Sequence, residues 1–196
     1  MKFTTRELVL MAVFGALWGA SEISLGAVMH SLNIPMSGMI LGGIGLCIAM
    51  IGRVFVSRKG STLFIGVVAM IMKLFSIGSV VIGPMIGIFM EAMLAEVMLT
   101  AWRKTSRLSF MLAGIAGILW TLIQPFFTGL LLFGRNLVDI WLGIIKEGTS
   151  LFGLESVEGG ILMLVLAFLI LSRVVVGILA GWIAWDVGKL IQERLV

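Results

Sequence analysis

Cysteine, histidine and charge are the scarce ingredients of this 196-residue chain. The lone cysteine, Cys47, excludes an internal disulfide framework and any metal site built from several thiolates. The lone histidine, His30, excludes a His-Glu-x-x-His zinc helix. There is no Gly-x-x-x-x-Gly-Lys-Ser/Thr phosphate loop, no Gly-x-Ser-x-Gly nucleophile elbow and no paired Asp-rich metal motif. Charged residues are only 12% of the chain, against about 25% in soluble proteins. What fills the space instead is apolar: 60% hydrophobic residues and a mean hydropathy of +1.19. A soluble domain of this length cannot hide so much apolar side chain, so the solvent of the fold is lipid. The 25 glycines and 14 methionines agree, since glycine is commoner in membrane helices and methionine fills irregular gaps.

Helices span a membrane because their backbone hydrogen bonds are internal, and about 20 apolar residues cover the hydrocarbon core. The apolar runs predict an all-α integral membrane protein, with residues 1–196 forming one six-helix transmembrane domain and no soluble domain. The expected spans are roughly 7–26, 36–56, 61–79, 84–102, 108–133 and 159–188, with a tight reversal around Val80 to Gly83 before Pro84. The first run lacks a signal-peptide cleavage site. The net charge of +4 is explained by its distribution and not by nucleic acid. With the N-terminus inside, Lys2, Arg6, Arg53, Arg58, Lys59, Arg103, Lys104, Arg107, Lys189 and Arg194 are cytoplasmic, while Arg135 and Lys146 are outside. Ten against two is a strong positive-inside bias and places both termini in the cytoplasm, in an inner (cytoplasmic) membrane. In the long outer connection, 134–159, Leu137, Ile140, Trp141, Ile144 and Ile145 fall at helical spacing. That pattern predicts an interfacial helix followed by a flexible, lid-like segment, or else an ordinary surface loop resting on headgroups.

In the first span Ala12, Ala16 and Ala20 recur every four residues, with Gly15 and Gly19 beside them. Small residues let another helix approach closely where lipid removes the hydrophobic drive. The ridge serves either packing within the chain or docking of another protein. Internal partners would be Gly38, Gly42 and Gly43 of the second span, or Ala113, Gly114, Ala116 and Gly117 of the fifth. The opening TTRELVLMAVFGALWGA, with its Ala-x-x-x-Ala motif, the chain length and the six expected spans, resembles the substrate-binding S component of energy-coupling factor (ECF) transporters. In that family the motif docks on the coupling helices of a transmembrane T component. The resemblance therefore implies partner-docking roles for Ala12, Ala16, Ala20, Gly15 and Gly19. It also implies a T component and two ATPase subunits as partners, a vitamin-like nutrient as cargo, and no cofactor in this chain, ATP being used by the partner subunits of this type of ABC transporter.

A charge inside a span costs roughly 2.5–3.5 kcal/mol on insertion scales, so each one needs a reason. Glu22, Lys73, Glu91 and Arg173 lie in different expected spans, with Gln124 before Pro125, and His30 and Asn33 in the first outer loop. Most fall at outer depth, as expected of a pocket that opens outward. They are the candidate substrate-binding residues, with Trp18 and Trp120 as flat walls. Lys73 and Glu91 are expected to pair across the outer turn. Glu96 and Asp186, nearer the cytoplasm, are expected to be structural. His30 is a hydrogen-bonding candidate, or a ligand to a metal centre carried by the cargo.

These residues suit a non-enzymatic substrate-capture subunit. Two other classes remain open: a stand-alone secondary transporter or channel, and a membrane-embedded enzyme acting on a lipid or prenyl substrate. Ser21, Glu22 and a single histidine are thin material for a nucleophile and base, and no inverted repeat is visible.

Overall fold

The computed structural model describes residues 3–76, 82–102, 105–150 and 159–194. Among them it is helical with short connections. The helices are α1 (Thr5–Ser31), α2 (Ser37–Phe55), α3 (Ser61–Met72), α4 (Ile82–Ala101), α5 (Arg107–Phe133), α6 (Leu137–Ser150) and α7 (Gly159–Arg194). A 3-10 turn, Lys73–Phe75, extends α3. Local chemistry sets several ends. Thr4 and Glu7 form a capping box at the start of α1, and Ser106 and Ser109 form another at the start of α5. Pro84 falls in the first turn of α4, where its missing N–H costs nothing.

Among the described residues five helices are long and apolar enough to cross a membrane: α1, α2, α4, α5 and α7. The expected third span, 61–79, is a shorter apolar helix, Ser61–Phe75. At helical rises it covers about 24 Å, short of the ~30 Å hydrocarbon core. The reversal expected around Val80 lies largely outside the described residues. α1 runs on to Ser31, five residues past its expected end, so His30 belongs to a helix and not to a loop. The turn that follows is tight enough to hold Asn33 and Met36 at positive φ. α7 reaches Arg194, beyond the expected 188.

α2 is the central helix. It packs on α1, α3, α4, α5 and α7. Glycines explain how it fits: Gly43 accepts Val176 of α7, Gly45 accepts the Trp18 ring of α1, and Gly52 accepts Ile65 and Phe14. One apolar cluster joins α1, α2, α3 and α4 around Trp18, Ala49, Ile65 and Ala92. A second joins α2, α4, α5, α6 and α7 around Leu46, Phe110, Ile144 and Leu169. The tightest crossing is α5 on α7. A Cβ on Gly114 would strike the Gly177 carbonyl, and one on Gly181 would strike the Phe110 carbonyl. These obstacles are backbone, so they cannot yield by changing rotamer.

α6 forms where the 3.6-residue periodicity places it, but it is no loosely resting surface loop. Ile140 and Ile144 are buried in the second cluster, and Trp141 meets Phe126 edge-on at 5.4 Å. The segment after it, 151–158, expected to be flexible and lid-like, lies outside the described residues.

The end of the bundle holding the α1 N-terminus is tied by ions. Arg58 pairs with Glu7 at 2.8 Å and Arg107 with Asp186 at 2.6 Å. Glu96 caps α3. Its carboxylate accepts from Gly60 N (2.7 Å), Thr62 N (2.9 Å) and Thr100 Oγ1 (2.6 Å), with Arg53 at 3.4 Å. Glu96 and Asp186 are thus structural partners, as their depth suggested. A carboxylate at a helix N-terminus meets both free N–H groups and the positive end of the dipole.

Two outcomes follow for the purified protein in detergent. Glu96→Ala should lower stability by about 3–5 kcal/mol, because it strands buried Arg53 and uncaps α3. Gly181→Leu should cost at least about 1–3 kcal/mol by overpacking against backbone. Thermal unfolding measures both, and an unchanged midpoint would contradict the assigned contact.

Candidate functional site

At the opposite end the helices part around a cavity of about 480 Å³. Its walls come from five stretches of chain. Glu22, Gly26, Ala27 and His30 project from one face of α1, as their i, i+4, i+5 and i+8 spacing requires. Ser37, Gly38 and Leu41 come from the start of α2, and Lys73 and Ser76 from the end of the third apolar segment. Pro84, Gly87, Ile88 and Glu91 come from α4, and Gln124 from α5.

Five of the eight residues expected to bind substrate meet here: Glu22, His30, Lys73, Glu91 and Gln124. Their pairing differs from expectation. Lys73 does not pair with Glu91. Its ammonium lies 3.3 Å from Glu22 Oε2 and 3.3 Å from the Glu22 carbonyl oxygen. The reason is packing. Gly15 and Gly19 let α1 settle directly against Val68 and Met72 of α3, which delivers the next residue, Lys73, to Glu22. Both side chains are buried.

Glu91 stands differently. It is 4% exposed, and its Oε2 has no hydrogen-bond donor among the described residues. The carboxylate lies over Gly42, where an added Cβ would stand 2.9 Å from either oxygen. Gln124 is held by a 3.0 Å bond from its Nε2 to the Gly83 carbonyl, with its amide over Gly87. Lys73 Nζ in turn lies near Gly26. Glycines of this end thus make room for polar heads, a role that no pattern of small residues had indicated.

Comparisons with protein-family models, curated proteins and solved structures returned no match. The chemistry of the cavity is therefore argued from its own residues.

Three expected site residues stand away from the lining. Trp18 is fully buried between Gly45 and Gly66, one helical turn before Glu22, and serves the first apolar cluster. Arg173 is buried in the α5–α7 contact, donating to Thr121 Oγ1 at 3.0 Å and to the Leu169 carbonyl at 2.9 Å. Asn33 is exposed in the α1–α2 turn. The small-residue ridge also divides: Gly15 and Gly19 face α3, Ala12 and Ala16 are half-buried, and Ala20 is exposed. The internal partner of Gly15 and Gly19 is α3, and not Gly38, Gly42 and Gly43 of α2 or the small residues of α5. Two hydroxyls that sequence reasoning missed, Ser37 and Ser76, line the cavity. They became visible only once α1 and α3 were seen to end beside them. Among the described residues no three His, Cys, Asp or Glu side chains gather for a metal ion, and His30 is exposed.

The Glu22–Lys73 contact makes a sharp stability test. Lys73→Met alone strands a buried carboxylate and should cost about 3–5 kcal/mol, while Lys73→Met with Glu22→Leu should recover most of that loss. A thermal double-mutant cycle in detergent reads the coupling, and additive effects would contradict the pair.

Proposed function

We propose that the chain is a substrate-capture S subunit of an ECF-type importer in the cytoplasmic membrane. It binds a small micronutrient, such as a vitamin, from outside and works with a T component and two ATPases. The observation that carries the binding half of this reading is the cavity itself. It collects Glu22, His30, Lys73, Glu91 and Gln124 from separate elements in a volume within the ~300–1,000 Å³ typical of ligand sites. Its chemistry is binding without bond-making.

Orientation is argued from charge. The cavity lies at the end opposite Arg53, Arg58, Lys59, Arg107, Lys189 and Arg194, so the positive-inside rule turns its mouth outward. In this reading the third apolar segment completes six spans despite its short helix, and both termini are cytoplasmic. The partner half rests on the resemblance of the opening Ala-x-x-x-Ala motif. In support, α1 presents Val9, Val13, Leu17 and Ala20 outward beside half-buried Ala12 and Ala16. Small side chains there let a partner helix come close.

Co-expression with a T component and its ATPases, followed by affinity purification, tests the reading. The wild-type chain should co-purify, and native mass spectrometry should find a retained small molecule. Ala20→Trp should cut complex recovery at least about tenfold and leave the retained molecule in place; a loss of about 1.4 kcal/mol in docking suffices for that. A chain that never co-purifies and retains nothing refutes the assignment.

A further inference from the structure

The charges around the cavity do not balance. α1 contributes the Glu22 carboxylate and, exposed at its last turn, His30; the third apolar segment contributes the Lys73 ammonium; α4 contributes the Glu91 carboxylate. α2 and α5 contribute no charged group to the lining. Lys73 is committed twice to Glu22, through the side chain and the carbonyl oxygen. Among the described residues that leaves Glu91 without a counter-ion from the cavity wall.

The contrast within the molecule is instructive. Three carboxylates are buried among the described residues: Glu22, Glu91 and Glu96. Glu96 accepts from two backbone amides and a hydroxyl and faces Arg53. Glu22 holds Lys73. Glu91 Oε2 has no donor among the described residues. A structural carboxylate at such depth is normally paired, because an unsatisfied buried polar group is costly. Glu91 nevertheless lines the cavity, and Gly42 beneath it leaves the space its head occupies. Leu41, Pro84 and Ile88 add apolar wall nearby.

We infer that the cavity selects a small organic monocation, a protonated amine or a charged heteroaromatic ring with an apolar body, and that Glu91 is its counter-ion. The inference deepens the capture reading and concerns the same cavity. In the complex, with Glu91 ionised against the bound cation, two carboxylates and one ammonium leave one negative charge, which the ligand neutralises. The buried Glu22–Lys73 pair acts as a fixed polar wall. Anionic ligands would meet Glu91 head-on, and a neutral ligand would leave it unpaired, which is the repulsive half of specificity.

The test uses three probes of one shape, benzylammonium, benzyl alcohol and benzoate, titrated against the purified full chain by thermal shift. Benzylammonium should raise the unfolding temperature, and the other two should not. Glu91→Gln should weaken benzylammonium at least about thirtyfold, the low end for losing one partner of a buried charge pair. Gly42→Ala, which crowds the same carboxylate from below, should weaken it as well, and serves if Glu91→Gln does not fold. Equal binding of benzoate or benzyl alcohol, no binding of any probe, or full benzylammonium binding in both variants would overturn the inference. Failure of the importer reading looks different. Benzylammonium selectivity in a chain that never joins a T component keeps the cation site and removes the importer. Complex formation with benzoate selectivity does the reverse.

Discussion

Lipid gives helices no hydrophobic reason to associate, so this bundle is held by how closely its backbones can approach. Glycine at the crossings supplies that closeness. Gly114, Gly177 and Gly181 bring α5 and α7 into backbone contact, and Gly15 and Gly19 seat α1 on α3. Much else follows from these contacts. The α1–α3 approach delivers Lys73 to Glu22. The glycines of α2 allow one helix to touch five others and still leave room for the Trp18 ring and the Glu91 head. Where a Cβ would be added, the nearest neighbour is often backbone or a ring, so few of these positions can be exchanged independently.

The two ends of the bundle treat polar groups in opposite ways. At the end with the α1 N-terminus three acids each meet an arginine: Glu7 with Arg58, Glu96 with Arg53 and the α3 amides, Asp186 with Arg107. Such matching stiffens loops and leaves little for a ligand to do. At the other end the matching is incomplete. Glu22 and Lys73 satisfy each other, Gln124 is anchored to the α4 backbone, and Glu91 keeps an open acceptor beside a cavity. Each of these three acids meets an arginine at one end, and at the other one buried acid is left over beside the cavity.

Much of this was legible in the residues. Composition and apolar run length pointed to membrane helices, the cost of burying charge singled out Glu22, Lys73 and Glu91, and the polar side chain before Pro125 singled out Gln124. Other points were not legible. Periodicity does not say which of two carboxylates an ammonium will choose, because that depends on how far one helix slides along another. Trp18 read as a flat wall for a ligand, yet Gly45 and Gly66 offered it a closer fit. Arg173 read as a pocket residue, yet its guanidinium is taken by Thr121 and a carbonyl of its own helix. The third apolar run, expected over roughly 61–79, is helical over Ser61–Phe75 among the described residues, and hydropathy, which counts apolar residues, is blind to where that helix tightens into a 3-10 turn.

What the amino-acid sequence determined by itself was the solvent and the inventory. So many apolar residues and so few charges require helices in lipid, and the few charges that enter those helices require partners or a purpose. What only the tertiary structure decided was the allocation. Pairing, burial and cavity lining depend on rotation and depth of one helix against the next, and those are set by glycine contacts between residues far apart in the chain. Lys73 went to Glu22 for that reason, and Glu91 was left facing the cavity with its acceptor free.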